Sequence, residues 1–472
     1  MKLHPCSLLL WGALAAPAAL ARGVSPYLPL KLAPEIERQV ERVLLYADQP
    51  IMTRPIAAAT VLDALPAACE VDAVLCADVR RYLAGFMKTA GLAHASIGLS
   101  AATDDVVALP NRRGMSSDSA YEVSLVGYWQ PHDNLLVSAG VLGYENETIP
   151  TGSLVSAGFE YAQFDAGYRD HWFSPLTESS MLIGTQAQTM PSLTVSNYTP
   201  LTRLNLRYEM FVAEMSESAN IRYGTGFTTG NPRLVGMHVS IEPLSGWSIG
   251  INRVMQFGGG ERGGNSLRDV FNAFFNPSKA DNTGAGQSRD NEFGNQVASI
   301  TTRFLVPGER PFSVYLEYAG EDTSTNSNVR LGNVALSAGV HFPDLWRGVE
   351  LTFEASEWQN AWYVHSIYQD GLTHEGNVLG HWGADWRVPS DGVGAQSALV
   401  RIGWQPRFGG WLEATYRRLQ NESYSPADYE GADLIEATYS RGWRDFRLGL
   451  ELASGSDSFG QSFSRLGTFI RF

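Results

Sequence analysis

Three stretches of the chain carry residue types that do chemistry. The first, YRDHWFSP (Tyr168 to Pro175), sets Asp170, His171 and Ser174 close together, the side chains of a serine hydrolase. Adjacent residues of an extended chain project to opposite faces, so Asp170 and His171 are poorly placed to share one proton path. No nucleophile elbow surrounds Ser174 either. A structural polar network or a ligand contact that includes Trp172 suits these residues better than catalysis. The second stretch, GGGERGG, fits G-x-G-x-x-G through Gly258, Gly260 and Gly263 and precedes the helix-like SLRDVFNAFF (Ser266 to Phe275). Its dinucleotide meaning requires a βαβ unit with a downstream ribose-binding acid. A glycine-rich loop with a short helix is expected instead.

The third stretch runs from Trp358 to Ala395 and holds Trp358, Trp362, Tyr363, His365, Tyr368, His374, His381, Trp382, Asp385, Trp386 and Arg387. Aromatic faces stack on the C–H surfaces of sugars, while carboxylates, imidazoles and forked guanidinium groups take hydroxyls and acidic substituents. This composition predicts a carbohydrate-contacting loop, with Trp358, Trp362, Tyr363, Tyr368, Trp382, Asp385, Trp386 and Arg387 as first candidates. Asp170, His171 and Trp172 come second. The competing reading is that the rings form an interfacial girdle or pack the loop on itself. The histidines lack metal-binding helix spacing, and neither a metal nor a cofactor is expected.

The elements that would position these residues are strands. Leu204, Leu206, Tyr208 and Met210 alternate with Arg203, Asn205, Arg207 and Glu209, and Phe446 to Leu452 repeats the pattern. At the C-terminus Leu466, Thr468, Ile470 and Phe472 share one face while Arg465, Gly467 and Arg471 share the other. An apolar row opposite a charged one fits a membrane barrel with a polar lumen. Short turns at Gln130–Asn134, Pro243–Gly246, Pro307–Pro311, Pro343–Gly348, Pro406–Gly410 and Arg441–Asp445 alternate with long loops at about 170–202, 257–295 and 358–395. Two weaker turns, near Ala162 and near Ser216–Ala219, keep the alternation in phase. The result is about 18 strands from near His94 to Phe472, with short turns periplasmic and long loops outside.

Ahead of the strands, Lys2, an apolar run from Leu8 to Leu20 and Ala19-Leu20-Ala21 read as a signal peptide over residues 1–21. Residues 22–91 have helical period: one helix from Pro34, a second near Thr60–Leu65 ended by Pro66, and a third carrying Leu75, Val79, Tyr82, Leu83 and Phe86. Cys69 and Cys76 are expected to pair in an oxidising compartment, a closure contributing about 2–3 kcal/mol. This small bundle would be marginal alone and is expected to dock on the barrel of residues 92–472. The formal charge of −14 argues against a nucleic-acid partner.

Several long blocks resemble the Wzi-type outer-membrane capsule-assembly family. They are Ser25 to Pro50, the AATVLDALPAAC segment with the Cys69/Cys76 pair, YRDHWFSP, Met190 to Phe211, QFGGGERGG with its loop helix, GHWGADWR (Gly380 to Arg387) and the aromatic C-terminus. The resemblance implies an 18-stranded barrel closed at its periplasmic end by the helical bundle. It also implies a non-enzymatic lectin that binds capsular polysaccharide at the cell surface, with no catalytic set to carry over. Outer-membrane lipids and lipopolysaccharide, a monomeric state and contact with capsule export machinery complete the expectation. The competing function is a sugar-permeable porin.

Overall fold

The computed structural model describes residues 23–103, 106–145, 147–263, 266–275, 290, 292–323, 331–346 and 348–472; the expected signal segment lies outside them. The period-2 segments form one antiparallel sheet. In chain order its strands are β1 (Ala90–Ala102), β2 (Tyr121–His132), β3 (Leu135–Tyr144), β4 (Glu147–Ile149 continued by Leu154–Phe159), β5 (Ala162–Tyr168) and β6 (Pro191–Ser196). Next come β7 (Arg207–Glu214), β8 (Arg233–Leu244), β9 (Trp247–Phe257), β10 (Gly294–Val306), β11 (Phe312–Thr323) and β12 (Leu331–Trp346). The last six are β13 (Val349–Trp358), β14 (Ala395–Trp404), β15 (Trp411–Asn421), β16 (Ala432–Trp443), β17 (Phe446–Ser456) and β18 (Ser462–Arg471). Each pairs with its neighbours, and β18 returns to β1 with Arg471 opposite Ser96 and Arg465 opposite Ala102. The sheet is therefore a closed barrel of 18 strands with no free edge.

Side-chain alternation divides the solvent as expected. Ile97, Leu125, Ile251, Ile300, Leu336, Ile435 and Leu450 are exposed on the outer face, and Trp129, Trp346, Trp404, Trp443 and Phe472 ring its periplasmic end. Arg465 and Arg471 point inward, Arg471 onto Glu35 at 2.8 Å.

The strand phase differs from the sequence reading in one place. Pro191–Ser196 is a barrel strand inside the stretch expected to be a loop over 170–202. A ten-residue periplasmic turn follows, and Asn197 braces it by accepting from the Tyr208 amide at 2.7 Å. Conversely, Ser218–Tyr223 and Gly226–Gly230 pair with each other, and Ile221 bridges to Tyr368, as a hairpin within an outer loop rather than as wall strands around a turn near Ser216–Ala219. The exchange leaves the strand total unchanged.

The N-terminal helices are α1 (Pro34–Tyr46), α2 (Ala58–Val71) and α3 (Ala73–Leu83). Pro34 starts α1 without needing an amide donor, and Glu35 and Glu37 favour its positive end. Contrary to expectation, α2 runs through Pro66. Proline removes one backbone bond, but Leu65 and Ala68 are buried on either side of it, and Cys69 is joined to Cys76 at the head of α3. Asp72 caps α3 by accepting from the Val74 and Leu75 amides at 3.0 and 2.9 Å. Besides its apolar stripe, α1 buries Glu35, Glu37, Arg38, Glu41 and Arg42, because it faces a charged barrel wall.

Candidate functional site

The barrel interior is filled by segments that interlock. The extended chain before α1 enters first, with the Ser25 amide donating to Gln163 at 2.9 Å. Residues 169–190 then fold inward from the outer end of β5, and all but a few are buried. Arg54 joins these two pieces: its guanidinium pairs with Glu41 and donates to the Ser174 and Leu176 carbonyls at 3.2 and 3.3 Å. On the wall, Glu354 accepts from the Thr177 amide, the Thr177 hydroxyl and the Glu178 amide at 2.8–2.9 Å. Between α1 and the wall a cavity of about 90 Å³, lined by Arg38, Arg112, Glu178, Arg417, Glu436 and Glu451 among others, has room for several waters.

The rings singled out in the sequence belong to this plug. Trp358, Trp362, Tyr363, Tyr368, Trp382 and Trp386 are at most 3 % exposed, and Arg387 is buried with them. Several of their polar ends bond to neighbouring backbone carbonyls. Trp362 Nε1 donates to the Asn333 carbonyl at 2.7 Å, Tyr363 donates to the Met181 carbonyl at 2.7 Å, and Trp386 Nε1 donates to the Ala108 carbonyl at 2.9 Å. Arg387 serves the carbonyls of Val393 and Trp362. Asp385 accepts from the Val378 amide at 2.8 Å and Gln186 Nε2 at 2.7 Å, tying two loops together. These residues lie together, but they face one another and not the outside.

The same correction applies to Asp170, His171 and Trp172. Asp170 pairs with Arg113, and Trp172 is fully buried with Nε1 donating to the Leu176 carbonyl. His171 Nδ1 lies 2.7 Å from Glu209, and its ring stacks on Phe211 at 3.8 Å. Burial pushes its imidazole below the usual range. Ser174 donates instead to Glu317 at 2.8 Å. The three hydrolase-like side chains thus serve three different partners. Among the described residues no cluster of ligands suits a metal ion.

What faces outward is a rim that sequence reasoning passed over. Tyr424 is 60 % exposed and Phe459 42 %, with Tyr429 half-buried beside them. The Gly394 amide donates to the Tyr424 hydroxyl at 2.7 Å, pinning the ring by its tip. Tyr429 lies 5.7 Å from Phe459 between centroids and donates to Asp391 at 2.7 Å. Burial works against ionised Asp391, yet bonds from Ser425, Tyr429 and the Val393 amide hold its carboxyl below the usual range. The rim is therefore a charged acceptor set among fixed aromatic faces. Its sequence signal, NESYSPADYE (Asn421 to Glu430), is short and resembles any polar loop.

A family model described as capsule assembly protein Wzi matches residues 107–386, more than half of the chain. The chain belongs to the Wzi capsule-assembly family. The match covers the inward-folded 169–190 segment and most of residues 359–394, and stops just before the Asp391–Tyr424–Phe459 rim. Among solved structures, this Wzi-family chain is similar to Wzi of Escherichia coli, described as an outer membrane protein involved in group 1 capsule assembly and a carbohydrate-binding β-barrel. That likeness has a TM-score of 0.70 at 15 % identity and covers 92 % of this chain and 97 % of the other. Pseudomonas aeruginosa OccK5 also aligns, with a TM-score of 0.48 at 9 % identity over 81 % of this chain and 96 % of that one. No curated protein sequence matches. Family and belt together place this Wzi-family barrel in the outer membrane.

Proposed function

We propose that the protein is a non-enzymatic outer-membrane lectin that holds capsular polysaccharide at the cell surface. The observation that carries the reading is the family match over residues 107–386, which include most of the inward-folded segments that support the outer rim. Sugar contact is assigned to the rim residues Asp391, Tyr424, Tyr429 and Phe459. Exposed rings with anchored hydroxyls lose little entropy when a sugar stacks on them. The buried set from Trp358 to Arg387 and Asp170–Trp172 acts one layer below, fixing the loops that present the rim. Weak sites suffice, because a repeating polymer offers many of them and effective concentration supplies avidity.

The same reading makes the protein a monomer surrounded by outer-membrane lipid and lipopolysaccharide. It leaves the helical end to face capsule export machinery in the periplasm. The filled lumen favours a lectin over a sugar-permeable porin. The deciding experiment deletes the gene in an encapsulated strain and measures capsular polymer in the cell and medium fractions, with plasmid complementation. The expected result is steady total polymer with a smaller cell-bound share. An unchanged partition overturns the proposal.

A further inference from the structure

One part of the barrel's outer wall is not open to lipid. In β8–β10 the inward row includes His238, Asn252 and Ser299, so Val235, Arg253, Met255 and Phe257 point outward. Ile251 and Ile300 on the same face are more than half exposed, as membrane-facing residues should be. Met255 and Phe257, toward the outer end, are at most 2 % exposed. They are covered by α4 (Leu267–Phe275), in the loop between β9 and β10, whose Ala273 is buried and whose Val270 and Phe274 pack against the same patch. Phe293 closes the patch by stacking on Phe257 at 5.0 Å.

Helix α4 therefore lies against the outside of the wall, while residues 169–190 and 359–394 fold into the lumen. Ser266 starts the helix by accepting from the Asp269 amide at 3.2 Å. At the other end the Phe274 carbonyl accepts from Arg253 at 3.1 Å. Arg253 lies four residues below the end of β9, roughly 13 Å along the strand at ~3.3 Å per residue. A guanidinium on the lipid face is costly there, and the helix gives it a carbonyl partner. With Val270 and Phe274 on the wall, Phe271 lies on the flank of α4 and is 62 % exposed, while Arg268 is exposed further round the helix. An apolar edge continuous with the membrane belt and a charged outer edge describe a helix that lies in an interface.

We infer that α4 is an interfacial element, with Phe271 seated among the acyl chains of the outer leaflet and Arg268 at headgroup level. The inference rests only on the membrane location and not on polysaccharide binding. Replacing Phe271→Cys leaves one free thiol in the mature chain, because Cys69 and Cys76 are joined. The thiol is nitroxide-labelled, the protein is reconstituted in phospholipid vesicles, and the label's collisions with oxygen and with a water-soluble nickel chelate are compared. Ile251→Cys on the open belt and Tyr424→Cys on the rim serve as references, with folding of each checked by heat-modifiable migration. The expected oxygen-to-nickel ratio at 271 resembles that at 251 and is several-fold above that at 424. A ratio like that of 424 places the helix in water and overturns the inference. Shielding from both reagents means that protein covers the helix, and overturns it equally.

Discussion

Tyr424 and Trp362 are both aromatic residues on outer loops, and only their surroundings separate their roles. Trp362 is fully buried and spends its N–H on the Asn333 carbonyl of the wall, whereas Tyr424 is 60 % exposed with its hydroxyl already held. Tyr424→Ala and Phe459→Ala are thus expected to weaken retention of capsular polymer on immobilised protein several-fold, with unchanged heat-modifiable migration. Trp362→Ala is expected to cost about 3–5 kcal/mol of stability through the cavity it opens, lowering the temperature of the migration shift. If Trp362→Ala abolishes retention at full stability while Tyr424→Ala does nothing, the assignment of layers is reversed. Arg54 gives a second test of the buried layer. It pairs with Glu41 while donating to two carbonyls of the 169–190 loop, so Arg54→Ala leaves the buried Glu41 carboxylate with Arg38 as its remaining close partner and frees both carbonyls, a loss of roughly 3 kcal/mol. The aromatic types from Trp358 to Arg387 were legible in the sequence, but their exposure was not. Burial here follows from a loop entering a lumen, and composition is the same for a loop folded inward or outward.

The loop of residues 359–394 carries titratable groups of opposite sign. Burial pushes the Asp385 carboxyl up to about 7, against the bonds from Val378 and Gln186 that favour its ionised form. Burial also pushes His365 and His374 down to about 4 and His381 to about 3. A carboxyl whose pKa rises on folding contributes stability that is full below its unfolded value of ~4 and is lost as pH rises through 7. Histidines whose pKa falls on folding contribute stability that is full above ~6.5 and is lost as pH drops toward 4. Between pH 5.5 and 8 the two trends oppose each other. Asp385→Asn removes the first, and its amide oxygen still accepts from Val378. Limited proteolysis of this loop is the readout: the variant is expected to gain protection relative to the native chain at pH 8 and to gain only about half as much, in free-energy terms, at pH 5.5. Equal cleavage at pH 8 removes Asp385 from the account. Elements were most legible where period 2 ran long, as in β17 and β18. β6 escaped because six residues with small inward hydroxyls, Ser192, Thr194 and Ser196, look like loop. The hairpin at 218–230 has the alternation of a wall strand without a place in the wall.

At the scale of the whole molecule, an 18-stranded wall encloses enough space for an aqueous channel, and what occupies that space decides the function. The barrel itself was legible from alternation and turn spacing, because both faces of each strand write their solvent into the sequence. The packing of residues 169–190 and 359–394 and of α1 inside it was not, since contacts between segments hundreds of residues apart leave no local pattern: Arg417 pairs with Glu178, and Arg471 with Glu35. The 169–190 loop is the central piece, linked to α1 through Arg54 and to the wall through Glu354. Full-length protein in planar bilayers is therefore expected to give none of the stable large steps of an open porin at neutral pH. Replacing residues 172–187 by a short Gly-Ser linker keeps Arg169, His171 and both flanking strands. It removes the contacts to Arg54, Glu317, Glu354 and Arg417, and is expected to produce discrete conductance steps. Large steps from the native chain would mean that the plug leaves the lumen in a membrane, and the porin reading would take precedence over the lectin. Silence from both proteins would instead assign closure to α1, whose ion pairs to the wall, Glu35 with Arg471 and Arg38 with Glu413, survive the replacement.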